Sequence, residues 1–228
     1  MYVELHTASA FSFLQGASLP ETLVDRAAEL GYPALALLDR DGVSGLPRFH
    51  KAATAAGLRA IVGAELTIEA GGTDRPQPSF LLPVLCENAH GYQNLCRLIT
   101  RMKMRAPKGE GALRLEEFDG ATSGLVALAG RAALDGRRYG VGGLVDRLVG
   151  LFGRGSVYVE LQRHLRRDEE RDNAALTSLA AAFRVPTIAT NGVRFATAAA
   201  RPLFDVLTCI HHHKIGRASC RERVSVVV

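Results

Sequence analysis

Between residues 2 and 190, seven short apolar runs alternate with amphipathic stretches of helical period. This alternation restricts the chain to a layered α/β fold more tightly than any other feature of the sequence. The runs are YVELH at 2–6, ALALLD at 34–39, AIVGAEL at 60–66, FLLPVL at 80–85, GLVALAG at 124–130, SVYVELQ at 156–162 and VPTIAT at 185–190. Each reads as a strand, and the unbroken apolarity of ALALL predicts one covered on both faces. Ser18, Pro20 and Glu21 predict a capped helix start, with Leu23, Ala27 and Leu30 as the apolar stripe and Gly31 as the stop. Further helices are predicted through Phe49 and Ala53 to Gly57, over 88–104 with Tyr92, Leu95, Leu98, Ile99 and Met102 on one face, before residue 156, over 168–183 and over 201–213, with a short piece near 113–118. Seven strands, each followed by a helix, predict a closed or nearly closed parallel α/β barrel. Polar residues at the C-terminal strand ends make the site in such barrels. That rule singles out 5–8, 39–41, Glu65, 81–85, 162–164 and 191–194.

Composition removes other classes. With 47% hydrophobic and 22% charged residues among 228, the chain is neither disordered nor fibrous, and no apolar run approaches the roughly 20 residues of a membrane span. The start MYVELHTASAFSF has no secretory pattern. Cys86, Cys96, Cys209 and Cys220 show no CxxC spacing and predict reduced thiols in a cytoplasmic protein. The net charge of +5 suggests nucleic acid, but residues 214–228 carry +3 of it, leaving +2 on the body. No stretch interleaves arginines with aromatics, so direct DNA binding by the body is expected to be weak. Neither G-x-S-x-G nor G-x-x-x-x-G-K-[ST] is present. His50 and His90 read as surface residues, and the run His211, His212 and His213 as a terminal tract without catalytic meaning. One of Asp39 and Asp41 is a candidate helix cap.

The blocks ELHTASAFSFLQGAS, PETLVDRAAELGYPALALLDRDGVSG, GLRAIVGAEL, ENAHGYQNLCRLIT, VYVELQRHLRRDEE, IATNGVRF and RPLFDVLTCI, in this order, resemble the polymerase-and-histidinol-phosphatase (PHP) domain. The likeness is to the PHP domain that opens bacterial DNA polymerase III alpha-type chains, in particular those of the error-prone kind. It implies a distorted seven-stranded (β/α) barrel over residues 1–213. Family members continue past DVLTCI, whereas HHHKIGRASCRERVSVVV departs abruptly, so 214–228 reads as a non-native or out-of-frame tail on a fragment.

Active family members hold divalent metals with histidines and carboxylates at strand ends and hydrolyse phosphoesters. By the resemblance, the opening His-x-His falls on His6 and Ala8, so the second ligand has no donor atom. An acid gives way to Gln15. Thr-Asp-His-Asp becomes Leu38-Asp39-Arg40-Asp41, a fourth-strand histidine falls on Leu81, and Asn-Asp-x-His becomes Asn191-Gly192-Val193-Arg194. Glu65 and His164 are kept. A guanidinium stays protonated and has no lone pair for a metal. At ~4 Å it would repel a divalent ion by roughly 8 kcal/mol at an effective dielectric of about 20. The expected vestigial site is therefore His6, Asp39, Arg40, Asp41, Glu65, His164, Asn191 and Arg194. No catalytic residue and no cofactor is expected, and the arginines should pair with Glu65 and with Asp39 or Asp41.

The resemblance implies a structural role beside the downstream polymerase domains of a longer chain. That parent would reach DNA and accessory proteins during damage-associated synthesis, away from membranes. The alternative is an active phosphoesterase or 3′-5′ proofreading nuclease using Zn²⁺ or Mn²⁺ on His6, Glu65 and His164.

Overall fold

The computed structural model describes residues 2–69, 79–107, 109–135, 140 and 142–213. The tail 214–228 lies outside the described residues, and so does Cys220. Two compact units emerge, one comprising Met1–Val62 with Thr190–Val228, the other Gly63–Ala189.

In the first unit, α1 (Pro20–Glu29) buries Pro20, Leu23, Val24 and Ala27, and α2 (Leu46–Ala55) buries Leu46, Phe49 and Ala53. The first set follows the i, i+3, i+4, i+7 spacing and the second i, i+3, i+7, each putting apolar side chains on one face. They close over β1 (Ala34–Arg40), whose residues through Asp39 are all buried, as its apolar sequence required. Leu35, Leu37, Leu58, Val193 and Ala196 complete this core. Ser18 does not cap α1. The cap position is Leu19, and the Ser18 hydroxyl instead accepts from the Ala196 N–H at 2.9 Å. Neither Asp39 nor Asp41 caps α2, whose N-cap is Gly45. Gly45 sits where a Cβ would press on the Asp39 carboxylate and the Phe11 ring.

The second unit carries β3 (Phe80–Cys86), β4 (Leu125–Ala129) and β5 (Val157–Gln162), with α3 (Ala89–Arg105), α4 (Gly143–Phe152) and α5 (Glu169–Phe183). α3 starts at Asn88, whose side chain accepts from the Gly91 N–H at 3.0 Å. Its buried Leu95, Leu98 and Met102 share the core with Leu66, Leu82, Val84 and Leu125, while the rings of Phe118 and Phe152 lie 5.5 Å apart.

With β2 (Arg59–Ile68) and β6 (Thr187–Thr190), the strands are hydrogen-bonded in the order β1-β2-β3-β4-β5-β6. Three expectations are corrected. The sheet among the described residues has six strands, not seven, because YVELH makes only a single parallel bridge from Glu4 to Leu35. The strands are not all parallel, since β3 runs antiparallel to both β2 and β4. Nor is there length for a crossover between every pair of strands, as only residues 69–79 join β2 to β3, too few for the connection that parallel pairing demands. The antiparallel register pairs Leu81 with Thr67, near the C-terminal end of β2, and Leu85 with Gly63 at the far end. The rule about C-terminal ends thus misplaces 84–85.

Cys86 and Cys96 are free thiols, but Cys209 is in a disulfide, so the expectation of four reduced thiols fails there. The last described element, α6 (Arg201–His211), packs Phe204 on Phe195 with ring centres 5.5 Å apart. His50 and His90 are exposed. Among the described residues no helix is long and apolar enough to cross a membrane.

Candidate functional site

In the first unit the N-terminal segment is stitched to two neighbours through its backbone. Ala36 N–H donates to Glu4 O and Leu38 N–H to Thr7 O, while Val193 N–H donates to His6 O and Ala8 N–H to Val193 O, all at 2.7–2.9 Å. These bonds hold His6, 5% exposed, beside the 191–193 segment. Glu4, two residues earlier on the same face, is fully buried. Its carboxylate accepts from the N–H of His6 at 2.8 Å, the N–H of Asn191 at 2.9 Å and the hydroxyl of Tyr2 at 2.6 Å. Burial pushes the Glu4 carboxyl above its ordinary range. The three donors and the nearby His6 oppose that rise without cancelling it.

Asp39 emerges from β1 and is 3% exposed. One carboxylate oxygen accepts from the Ser9 N–H at 2.7 Å, the Ser9 hydroxyl at 2.9 Å and the Ser12 hydroxyl at 2.8 Å, and the other lies 2.9 Å from the Ser9 hydroxyl. Ser12 in turn accepts from the Arg40 N–H at 3.0 Å. The carboxylate is thus committed to bracing the 9–16 loop, where Gly16 lies so close to Ser9 O that no Cβ would fit. Arg40 reaches Asp41, with Nε 3.6 Å from Oδ2, and Asp41 adopts a left-handed φ of 51°. Of the pairings expected from the sequence, this one is present. Arg194 is half-buried and accepts from Ala17 N–H through its backbone carbonyl. Ala8 is fully buried and offers no ligand.

In the second unit, Glu65 is buried on β2 opposite Pro83. His164 follows β5, its side chain 13% exposed, and is held by Glu169 at the start of α5. Glu169 accepts from the His164 N–H at 2.5 Å, the Arg166 N–H at 3.0 Å and His164 Nδ1 at 2.9 Å, with Arg131 3.2 Å away. Burial alone would raise this carboxyl, but the two backbone donors and the imidazole hold it down to about 2. An ionised carboxylate only accepts, so His164 Nδ1 is the donor in this contact.

Sequence reasoning missed Glu4, Ser9, Ser12, Glu169 and Arg131. Glu4 had a signal, since strand period two places it on the face of His6. Glu169 had a weaker one as the first-turn acid of a helix beginning five residues after a histidine. Among the described residues, no three His, Cys, Asp or Glu side chains are grouped so that they could hold a metal ion. The donor set does not fit the metal cluster that the resemblance brings with it.

A model of the PHP domain matches residues 4–164. The chain belongs to the PHP family. It is 37% identical over 212 residues to an error-prone DNA polymerase of Pseudomonas syringae pv. tomato, covering 93% of this chain and 20% of that protein. It is 41% identical over 216 residues to one of Anaeromyxobacter sp. strain K, covering 92% and 18%. The chain therefore spans about a fifth of the length of the curated relatives it matches. Among solved structures, an amidohydrolase from Chromobacterium violaceum superposes with a TM-score of 0.60 at 16% identity, over 86% of this chain and 88% of that one. A two-domain protein containing a predicted PHP-like metal-dependent phosphoesterase from Bacteroides vulgatus gives 0.54 at 16%, over 85% and 52%. These likenesses establish a PHP-type α/β fold.

Proposed function

We propose that this chain is the N-terminal PHP domain of an error-prone DNA polymerase III alpha-like protein, with a degenerate metal site and a structural role. On this reading 1–213 is the domain and 214–228 an extraneous tail. The parent chain would supply nucleotidyl transfer, DNA and accessory partners in damage-associated replication and repair, in the cytoplasm.

The observation that carries the reading is the fate of the β1 end. Asp39 spends its carboxylate on Ser9 and Ser12, and the adjoining position holds Arg40, tied to Asp41 instead of a metal-binding imidazole. A fixed positive charge disfavours a divalent cation at that strand end, and a carboxylate already accepting from three donor groups is a poor ligand without rearrangement. His6, Asn191 and Arg194 are then polar lining of a vestigial mouth.

One observation favours a second reading. His164 presents Nδ1–H to a buried carboxylate, the arrangement that orients imidazoles toward metals. A residual Zn²⁺ or Mn²⁺ bound through His164 would make the domain a phosphoesterase or proofreading nuclease. Incubation of the purified chain with Mn²⁺ and either p-nitrophenyl phosphate or a 3′-mismatched primer separates the two. The structural reading expects no metal-dependent turnover. Turnover abolished by His164→Ala would establish the second.

A further inference from the structure

Two thiols of the second unit have no part in the function proposed above. β3 ends on Cys86 and α3 carries Cys96, both free and half-buried. On β3, Pro83 stands opposite Glu65 in the register with β2, so period two turns Leu82, Val84 and Cys86 to the other face of the sheet. That is the face α3 covers with Leu95, Leu98 and Met102. Tyr92, Cys96 and Ile99 stand at i, i+4 and i+7 along the rim of this buried stripe, Tyr92 exposed and the other two half-buried. A strand end and a helix rim thus bring Cys86, Tyr92 and Cys96 to one place.

The three groups bear on one another. The Tyr92 hydroxyl donates to Cys96 Sγ, a contact that holds the phenol above its ordinary value, with burial, Cys96 and Cys86 adding to the rise. Burial, with Cys96 next, pushes the Cys86 thiol up to about 12. Charge on one sulfur therefore opposes charge on the other, a coupling that fades unless the groups are neighbours.

We propose that Cys86 and Cys96 are a redox-sensitive thiol pair, closed by a hydroperoxide into a disulfide that pins α3 to the end of β3. The Cys96 sulfur attacks the O–O bond of hydrogen peroxide, giving a sulfenic acid and water. The Cys86 sulfur then attacks the Cys96 sulfur, the S–O bond breaks, and the hydroxyl leaves as water with the Cys86 proton. In all, two thiols lose two electrons and two protons, and one peroxide is reduced to two waters. The order of attack follows from burial. Cys86, held as the thiol, is a poor first nucleophile and reaches only a sulfur beside it. An external thiol that attacks Cys96 in the disulfide must expel Cys86, a poor leaving group, so the pair is slow to close and slow to reopen.

The test uses the 228-residue chain, treated with hydrogen peroxide, cleared with catalase, unfolded, capped with N-ethylmaleimide and cut after glutamate. Glu87 lies between the two cysteines, so cleavage there leaves them on separate peptides. The expected product is one pair of peptides joined through Cys86 and Cys96, two hydrogens lighter than the free peptides together and separated by dithiothreitol. In Cys86→Ala the joined product should vanish, and dimedone should trap Cys96 as its sulfenic acid. Recovery of Cys86 as its maleimide adduct after hours in peroxide overturns the proposal, whatever has become of Cys96. So does Cys96 joined to a second copy of the chain. If Cys86→Ala does not fold, phenylarsine oxide takes its place. The unaltered chain should then bind one arsenic that blocks both thiols, and two capped cysteines would overturn the proposal.

Discussion

Replacing Glu169 by glutamine tests how the second unit holds its strand-end histidine. The carboxylate is 1% exposed and serves four groups, the N–H of His164 and Arg166 on one oxygen and the His164 ring and Arg131 on the other. A glutamine keeps one accepting oxygen and turns the other position into an N–H₂ donor. If the oxygen stays with the two backbone donors, the amide faces Arg131 and the His164 ring, which must shift its proton to Nε2. If it turns, two buried backbone N–H groups lose their acceptor. Each arrangement loses a charge-assisted contact and opposes donors to donors, a cost of about 3 kcal/mol. For a chain of this length that corresponds to a melting temperature roughly 6–12 °C lower at pH 7, followed by circular dichroism. The sign of the pH dependence follows from the carboxyl, held at about 2 against an ordinary 4.5. A depressed value stabilises the fold above pH 4.5, and the contribution fades as pH falls toward 2. The gap between Glu169→Gln and the parent should therefore narrow between pH 4.5 and pH 2. A gap below about 2 °C at pH 7, or one unchanged from pH 5 to pH 3, would refute this account of His164.

Ser12→Ala removes a donor to Asp39 and the acceptor of the Arg40 N–H, so urea denaturation should show a loss of about 1–3 kcal/mol, while Ser178→Ala on exposed α5 changes stability by less than about 0.5 kcal/mol. Gly91→Ala places a methyl inside the radius of the Gly124 carbonyl oxygen, where α3 meets the start of β4, and should cost more than about 2 kcal/mol, although alanine is the better helix former. The Cys86 thiol is pushed up to about 12, chiefly by burial with Cys96 adding to it, so at pH 8 iodoacetamide should leave Cys86 largely unlabelled over times that exhaust a peptide thiol. Rapid labelling would show the strand end to be open.

Much of the fold was legible because periodicity reports burial. The stripes of α1, α2 and α3 and the doubly buried β1 follow from apolar spacing alone, and the family from seven blocks in order. Strand direction was not legible, since FLLPVL reads the same parallel or antiparallel; only the short 69–79 connection carried that information. YVELH looked like a full strand because alternation was present, yet its pairing is confined to isolated bridges. Ser18 shows how a capping pattern misleads. Its hydroxyl was claimed by Ala196, 178 residues away, a competitor no local window contains. At the candidate site, that the side chains of Ala8, Arg40 and Arg194 offer no metal-donor atom was readable from residue type. What became of the survivors was not, because Asp39 and His164 owe their states to Ser9, Ser12 and Glu169, which no metal motif includes.

The claim that guanidinium and hydroxyl partners have replaced the metal at these strand ends has a direct measurement. The chain is purified in the presence of Zn²⁺ or Mn²⁺, passed through a desalting column and analysed for metal by mass spectrometry, with an Arg40→His, Arg194→His variant alongside. The account predicts well under about 0.1 equivalent in the parent, below the stoichiometric occupancy of a three-ligand protein site. Close to one equivalent of tightly held metal in the parent, lost on His6→Ala or His164→Ala, would contradict it.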